Sequence, residues 1–526
     1  MKSLTARTVQ LGLAGAVVLA AGCSTPSEAP TVESAPAVIG PETRPQDVVI
    51  ASPAGTARPP FRFSVADERF LEEIQRGAFN WMVARGQGPY GLVPDRSSNK
   101  VISTAGVGFQ LAALPVAVER GWMPRAEAER RASGILRTLR NSPNIRKAGL
   151  YQHFVDLSAD GAMLELHGKG LEQVVSTIDS TLLLSGAIVA GQYFAGETGQ
   201  LADAMIAEVD WTFFQAPGGP GTKPWEIGRI SLGWKPKSVA EPTGAGALLP
   251  YLWLDNGCEH RLVSLLAACA PDPSHRVDPL LYYRLRRQVG QWPGVEPMVW
   301  FPYSGAIFVN QFSHIFVNYA SMGPDDPAAM GVANRPRVDW WENSRRVTQL
   351  HRTKAIENPK GLTGFGPDGW GLTASDKRGG YQVPGLFPTR VPLAGELPEV
   401  DYSTYTPKDD WGDGSLAPYG AGMSIMFEPQ LSLAALRNYR AQAARAELAK
   451  LWDDPASGGF GFADAFNPGI GWVAPDHLAI DQLPLMLAIE NARSGLIWRQ
   501  FHSNPAIQAG LERMGLKLGN LTTDSR

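Results

Sequence analysis

The chain has 526 residues, with 48 basic and 51 acidic side chains and a formal net charge of −3. It contains no long basic run, so composition gives no reason to expect a nucleic-acid partner. Its length is sufficient for a large core and leaves room for more than one domain.

The first residues have the pattern of a bacterial export signal. Lys2 and Arg7 precede an apolar stretch over 11–21 that is too short to span a bilayer. The sequence LAAGC at 19–23 resembles a lipobox, which predicts a signal peptide over 1–22 and lipidation of Cys23. Ser24 rather than Asp follows, so we expect anchoring in the cell envelope, at the outer membrane of a Gram-negative cell. An ordinary signal peptide or a weak anchor is the alternative.

The segment after Cys23 is rich in Pro, Ala, Ser, Thr and Glu and has no apolar periodicity. Such a composition cannot bury enough surface to offset chain entropy. We therefore predict a disordered tether over 23–62, one domain over 63–510 and a C-terminal tail over 511–526. Within the domain, Cys258 and Cys269 have a spacing that a disulfide could close in an exported protein, and two buried free thiols are the alternative.

Helix signals dominate the predicted domain. Ser64 with Asp67 resembles a capping box, and Ser176 with Asp179 gives a second capped start. We interpret Asp179 as a helix-start carboxylate in preference to a catalyst. Helices are predicted from 64, over 104–120, 125–140, 181–195 and 339–356, over 431–451 with one possible break, and over 481–501.

Long loops rich in Gly, Pro, Trp and Asp separate these helices, and loops of such length inside a domain are usually functional. About a dozen paired helices with such loops favour an all-α fold, an (α/α)6 toroid with a cleft on one face. A superhelical repeat array is the rival, but no fixed sequence period supports it.

The stretch between residues 339 and 413 alternates aromatic and acidic residues on a glycine-rich backbone. Aromatic faces pack on sugar rings, and carboxylates bind hydroxyls or transfer protons at a glycosidic bond. The pattern therefore indicates a carbohydrate site, although core aromatics beside capping aspartates would look similar. Standard zinc, nucleotide and serine-hydrolase motifs are missing from the sequence, and we expect neither a metal nor another cofactor.

Short blocks along nearly the whole predicted domain resemble those of a known family. They lie at 91–96, 103–122, 153–156, 176–186, 312–314, 343–344, 370–381, 413–418, 427–437, 462–467 and 480–498. In this order they resemble the glycoamylase-like family of (α/α)6 proteins, which includes the bacterial endo-β-1,2-glucanases of glycoside hydrolase family 144. The resemblance implies an inverting hydrolase that cleaves a β-glucan, with β-1,2-glucan as the first choice. An oligo- or polysaccharide and, through the lipid, a membrane are the expected partners.

An inverting site needs one protonated and one ionised carboxyl. The candidates are Asp156, Asp376 and Asp413, with the acid and base roles unassigned. The expected sugar contacts are Asp95, Arg96, His153, His314, Trp370, Tyr381, Asp464, Trp472 and Asp481. For His314 a role as a satisfied core histidine is the alternative.

Three positions depart from the family pattern. Asn318 and Leu483 stand where an acidic residue and a glycine are common, and the acid expected at the helix near Tyr251 is displaced upstream to Glu241. These departures leave open a non-catalytic glycan-binding lipoprotein on the same scaffold. A polysaccharide lyase is a third hypothesis, which the carboxylate-rich loops disfavour.

Overall fold

The computed structural model describes residues 39–168, 173–219, 221–238, 240–396 and 407–519. The predicted signal peptide and Cys23 lie outside the described residues. Fourteen α-helices occur in the described part of the chain: α1 Val65–Arg85, α2 Thr104–Glu119, α3 Arg125–Arg140, α4 Thr177–Phe194, α5 Gly196–Ala207, α6 Cys258–Ala268, α7 Leu280–Arg284, α8 Ser313–Phe316, α9 Trp340–Glu357, α10 Pro418–Met423, α11 Pro429–Gln442, α12 Ala479–Arg493, α13 Leu496–Ser503 and α14 Pro505–Arg513.

Nineteen short strands also occur in the described residues: β1 Val49–Ile50, β2 Ile102–Ser103, β3 Arg146–Lys147, β4 Leu150–Tyr151, β5 Phe154–Leu157, β6 Leu164–Leu166, β7 Val175–Ser176, β8 Gly233–Pro236, β9 Gly246–Leu248, β10 Gln288–Trp292, β11 Val295–Trp300, β12 Arg337–Val338, β13 Ser375–Lys377, β14 Gly380–Gln382, β15 Thr389–Arg390, β16 Trp452–Asp453, β17 Gly461–Phe462, β18 Phe466–Asn467 and β19 Trp472–Val473. They pair into small sheets of two or three strands. The fold is therefore mostly helical, and the loops carry the strands.

The predicted helix starts are confirmed at three places. Ser64 and Asp67 form a reciprocal capping box on α1, and the Ser176 hydroxyl accepts the N–H of Asp179 at the start of α4. Asp339 caps α9 through the N–H groups of Trp341 and Glu342. The helix predicted over 481–501 is instead two helices, α12 and α13, separated by Gly495 with a φ of +69°.

Helices α2, α4 and α12 form the centre of the fold, with α2 packed against both of the others. Both α2 and α4 are buried on almost every side, so they lack the polar face of a surface helix. They approach closely at two glycines: a Cβ at Gly186 would lie 1.8 Å from the carbonyl oxygen of Gly108. Helix α6 packs on α4, and α10 packs on α12.

The structure differs from the expected tether. From residue 39 the chain packs onto the domain: β1 pairs in parallel with β12, and Ile50 is fully buried. Arg58 donates to the buried carboxylate of Asp339 at 2.5 Å, and its guanidinium lies 4.6 Å from the Trp341 ring centroid. The folded part therefore begins before residue 63, because a distant strand and carboxylate supply the contacts that the local sequence lacks.

The C-terminal boundary also lies further along the chain than expected. Helix α14 runs past residue 510, and Leu511 and Met514 are buried. Cys258 and Cys269 are buried free thiols, and burial raises their pKa to about 11 and about 12, respectively. Among the described residues, no helix combines the length and apolarity needed to cross a membrane.

The contacts of Arg58 yield a stability prediction. Arg58→Ala removes the partner of a carboxylate that is 1% exposed, and should lower the free energy of unfolding by about 1.5–3 kcal/mol. Arg62→Ala is the control, since Arg62 is exposed. Denaturant unfolding of both variants measures the difference, and equal stability of the two variants would contradict a structural role for the segment before α1.

Candidate active site

Three buried carboxyls lie in the first turns of central helices. Asp179 is the third residue of α4, Glu259 the second of α6 and Asp481 the third of α12. Each is at most 2% exposed. Because burial penalises a charged carboxyl, such groups keep a proton to higher pH unless cations or hydrogen bonds compensate.

Asp464 and Asp481 form a pair that shares a proton. Burial and the neighbouring carboxylate of Asp464 raise the pKa of Asp481 well above its usual range. Burial also raises the pKa of Asp464, to about 6, although a hydrogen bond from Asp481 favours its ionised form. The other oxygen of Asp464, Oδ2, accepts the backbone N–H of Asp376 at 2.8 Å. Near neutral pH, Asp481 is thus the proton donor and Asp464 the acceptor.

Arg96 holds three further carboxylates beside this pair. Its guanidinium lies 3.5 Å from Asp95, 3.1 Å from Asp376 and 3.4 Å from Asp476, measured between nitrogen and carboxylate oxygen. The Asp95 carbonyl accepts the backbone N–H of Ala479, the first residue of α12. The loop before α2 is thereby fixed to the start of α12, and we refer to Asp95, Asp376, Asp464, Asp476 and Asp481 as the acid cluster.

The β13–β14 hairpin brings polar groups to the acid cluster. Asp376 on β13 lies opposite Tyr381 on β14. Burial raises the pKa of Tyr381 well above its usual value, and the negative charges of Asp481, Asp464, Asp95 and Asp376 raise it further. Burial lowers the pKa of Lys377 to about 8, although the negative charges of Asp464, Asp413, Asp481 and Asp376 oppose the shift. Tyr381 is half-buried and therefore reaches both the cluster and solvent.

Glu259, Asp179 and His153 form a second buried group. The Nδ1 of His153 lies 3.5 Å from Oδ2 of Asp179. Burial, with a smaller contribution from the charge of Asp179, raises the pKa of Glu259 well above its usual range. Burial raises the pKa of Asp95, and the charges of Arg96 and His153 oppose that shift, so the histidine also lies near the acid cluster.

The structure brings together several of the residues predicted from the sequence. The acid cluster and its surroundings include Asp95, Arg96, Asp376, Tyr381, Asp464 and Asp481, and His153 lies beside them.

The other two predicted carboxylates lie differently. Asp156 on β5 is 43% exposed, and its Oδ2 accepts a hydrogen bond from Nδ1 of His167 at 2.9 Å. Asp413 is exposed, and its Oδ1 accepts the N–H of Ser415. Asp413 nevertheless lies close enough to stabilise the charge of Lys377. Both side chains are therefore open to solvent, unlike the carboxyls of the acid cluster.

Two expected sugar contacts lie in the core. Trp370 is fully buried, and its backbone carbonyl accepts the Tyr439 hydroxyl at 2.7 Å. His314 is 1% exposed, packs edge-on to Tyr319 and Phe427, and pairs with the Ser344 hydroxyl at 2.9 Å. Their ring faces are therefore covered by protein and cannot stack on a sugar in this conformation. Trp472 on β19 is half-buried.

Glu259 is the main residue that the sequence analysis missed. The resemblance places an acid at a helix near Tyr251 and leaves Glu241, upstream, as its counterpart, whereas α6 begins at Cys258 and carries Glu259 as its second residue. One signal in the sequence could have revealed this helix start. Gly257 is followed by an acidic residue and then by an apolar run from Leu262, and that pattern is typical of a helix start. Tyr419 was also missed, and its hydroxyl lies within hydrogen-bonding reach of Asp481.

Within the described residues, no three His, Cys, Asp or Glu side chains are arranged to hold a metal ion. The cations that face the acid cluster are instead Arg96 and Lys377. The site can thus hold and transfer protons and accept hydroxyl hydrogen bonds through its own side chains.

Comparison with known proteins gives a family match. Residues 252–505 match the family model described as "Putative glucoamylase". An exo-β-1,2-glucooligosaccharide sophorohydrolase (non-reducing end) from Parabacteroides distasonis is 24% identical over 493 residues, which cover 86% of this chain and 58% of that protein. The chain thus spans less than two thirds of this relative's length.

Solved structures share the fold. A structure described as a "putative glucoamylase" from Bacteroides caccae ATCC 43185 aligns with a TM-score of 0.68 at 25% identity, covering 86% of this chain and all of that one. An endo-β-1,2-glucanase from Chitinophaga pinensis aligns with a TM-score of 0.66 at 21% identity, covering 86% and 98%. The resemblance to the glycoamylase-like family that the sequence predicts is therefore confirmed.

Proposed function

We propose that this protein is a glycoside hydrolase that cleaves a β-glucan, with β-1,2-linked glucan as its substrate. One observation carries the proposal: the buried carboxyls of Asp464 and Asp481, whose pKa values are raised by burial, lie beside Asp376, whose carboxylate is paired with the guanidinium of Arg96. Glycosidic hydrolysis requires both kinds of group. The relatives described as β-1,2-glucan enzymes support the choice of linkage.

We further infer that the paired helices close into an (α/α)6 toroid. The central helices pack in the sequence α10, α12, α2, α4 and α6. Three of them, α4, α6 and α12, present an acidic residue in the first turn. A ring of helices that start on the same side would gather these carboxyls at one face, where a glucan chain could bind.

We assign Glu259 as the general acid and Asp464 as the general base. No hydrogen bond among the described residues occupies the Glu259 proton, whereas the proton of Asp481 is shared with Asp464. Asp464 has a pKa of about 6, so it is ionised at neutral pH and basic enough to accept a proton from water. In an inverting reaction the acid protonates the leaving oxygen, and the base activates a water on the opposite face of the sugar.

The other groups of the site would position substrate and base. The Asp376 N–H and the Asp481 carboxyl both donate to Asp464, which fixes the orientation of its carboxylate. Tyr381, His153 and Arg96 lie beside the carboxyls and are proposed to contact sugar hydroxyls. Asp376, predicted as a catalyst, is assigned here to positioning because Arg96 neutralises its charge.

Carboxamide variants test these assignments. Glu259→Gln and Asp464→Asn keep the side-chain shape but remove proton transfer, and should each lower kcat on β-1,2-glucan by about 10²–10⁴-fold. Asp156→Asn and Asp413→Asn should retain most activity. The control is Glu165→Gln, because Glu165 is exposed and lies opposite Asp156 in the β5–β6 pair. Release of reducing ends measures turnover.

The same assay on a panel of β-glucans separates the alternatives. New reducing ends support hydrolysis, unsaturated products indicate a lyase, and binding without turnover indicates a glycan-binding protein. If Asp156→Asn loses activity while Asp464→Asn does not, the assignment of the base is wrong. The protein for this assay should begin at residue 39 rather than at residue 63, where the sequence predicts the domain to start, because the segment before α1 packs on the domain.

The shared proton predicts a pH effect. The hydrogen bond from Asp481 lowers the pKa of Asp464, so removing the donor with Asp481→Ala should raise that pKa. Because the base must be ionised, the acidic limb of kcat/KM against pH should move to higher pH. Asp481→Asn keeps a donor and should shift the limb less. A limb that moves to lower pH in Asp481→Ala would contradict the proposed base.

We also propose that lipid on Cys23 anchors the protein in the bacterial envelope. Several acyl chains give firm membrane binding, whereas a single chain binds weakly. Cys23→Ser should move the protein from the membrane to the soluble fraction and prevent incorporation of labelled fatty acid. The LAAGC sequence at 19–23 supports the proposal. A wild-type protein that incorporates no label would contradict it.

A further inference from the structure

Helix α6 carries a buried cation, Arg261, that has no carboxylate partner among the described residues. The side chain of Arg261 is 1% exposed. Its Nη1 donates to Oδ1 of Asn256 at 2.9 Å, but its Nε and Nη2 find no acceptor among the described residues. The nearby guanidinium groups of Arg286 and Arg287 are paired with Asp255 and Asp325. The buried positive charge of Arg261 must therefore be stabilised by groups other than these carboxylates.

Aromatic rings supply part of that compensation. The guanidinium carbon of Arg261 lies 3.9 Å from the ring centroid of Trp340 and 5.2 Å from that of Tyr319. Such contacts attract the cation to the ring face. They leave the N–H groups at the edge of the guanidinium without acceptors, and burying those groups unpaired is costly.

Three hydroxyl groups near Arg261 are also buried without a hydrogen-bond partner among the described residues. The hydroxyls of Tyr282, Ser313 and Tyr319 are buried and have no hydrogen-bond partner of normal geometry within the described residues. Burial raises the pKa of both tyrosines, and the nearby charge of Arg261 opposes that shift in each. The side chains of Arg261 and Ser313 also lie close enough to the Tyr319 hydroxyl to interact with it directly. The four side chains thus converge, and each has a hydrogen to donate.

We propose that Arg261, Tyr282, Ser313 and Tyr319 form an internal binding site for a chloride ion. A halide accepts hydrogen bonds from every direction, so one ion can satisfy all four side chains and balance the buried charge. A small monovalent ion also suits a site in the helical core better than sulfate or phosphate does. The nearest carboxyl on α6, Glu259, is kept protonated by burial and does not supply the missing charge. The proposal is independent of the proposed hydrolase activity.

Chloride-dependent stability tests the site. The purified protein is unfolded in mixtures of sodium chloride and sodium gluconate at constant ionic strength. An ion that binds only the folded state makes the folding equilibrium constant rise about tenfold for each tenfold increase in chloride above the dissociation constant. Crystals grown in bromide should show an anomalous peak within hydrogen-bonding distance of Arg261.

Matched variants locate the effect. Arg261→Met keeps the side-chain volume but removes the charge, and should abolish the dependence on chloride. The double variant Tyr282→Phe with Tyr319→Phe should weaken the dependence of stability on chloride. This variant tests the site if Arg261→Met does not fold. Tyr439→Phe, a buried hydroxyl that is bonded to Trp370 instead, should keep the full dependence. The proposal is overturned if the wild type is equally stable in chloride and gluconate, or if the variants of Arg261 and of the two tyrosines keep the full chloride effect. Buried water would then be the partner of these groups.

Discussion

The burial of more carboxyls than cations is the constraint on which the site depends. The acid cluster has five carboxyls, and the cations that face it among the described residues are Arg96 and Lys377. Like charges in a poorly solvated environment cannot all be ionised, so some protons must stay bound at neutral pH. The retained proton on Asp481 and the raised pKa of Asp464 follow from this imbalance. A polar, well-solvated loop with the same residues would have no such proton to transfer.

Central helices that are buried on every side make the constraint possible. The first turn of a helix favours a negative charge, but only by about 0.3–1 kcal/mol. Removing an ion from water costs several kcal/mol, so burial dominates at Glu259, where no cation among the described residues compensates. Helices α2 and α4 approach so closely at Gly108 and Gly186 that the backbones are in direct contact there. The packing of the core therefore sets the protonation of the site.

The sequence predicted features that depend on neighbouring residues and missed those that depend on distant ones. The caps at Ser64, Ser176 and Asp339 need only a few residues in a row. The exposure of Trp370 depends on Tyr439 and the helices around it, so a glycine-rich aromatic motif could not distinguish a sugar platform from a core residue. Glu259 was missed for the same reason, since its significance comes from the burial and from Asp179 on another helix.

Contacts between distant segments also connect the stability of the fold to its chemistry. Arg96 follows the first long loop, yet its partners Asp376 and Asp476 come from the hairpin and from the loop before α12. The hydrogen bond from Ala479 to Asp95 joins the same loop to the helix that carries Asp481. The guanidinium of Arg96 thus adds a link between the early and late parts of the domain, whose helices α2 and α12 also pack together, and it neutralises carboxylates beside the proposed base. Because both effects come from the same charge, a substitution at Arg96 would change the electrostatics of the site and remove this link at the same time.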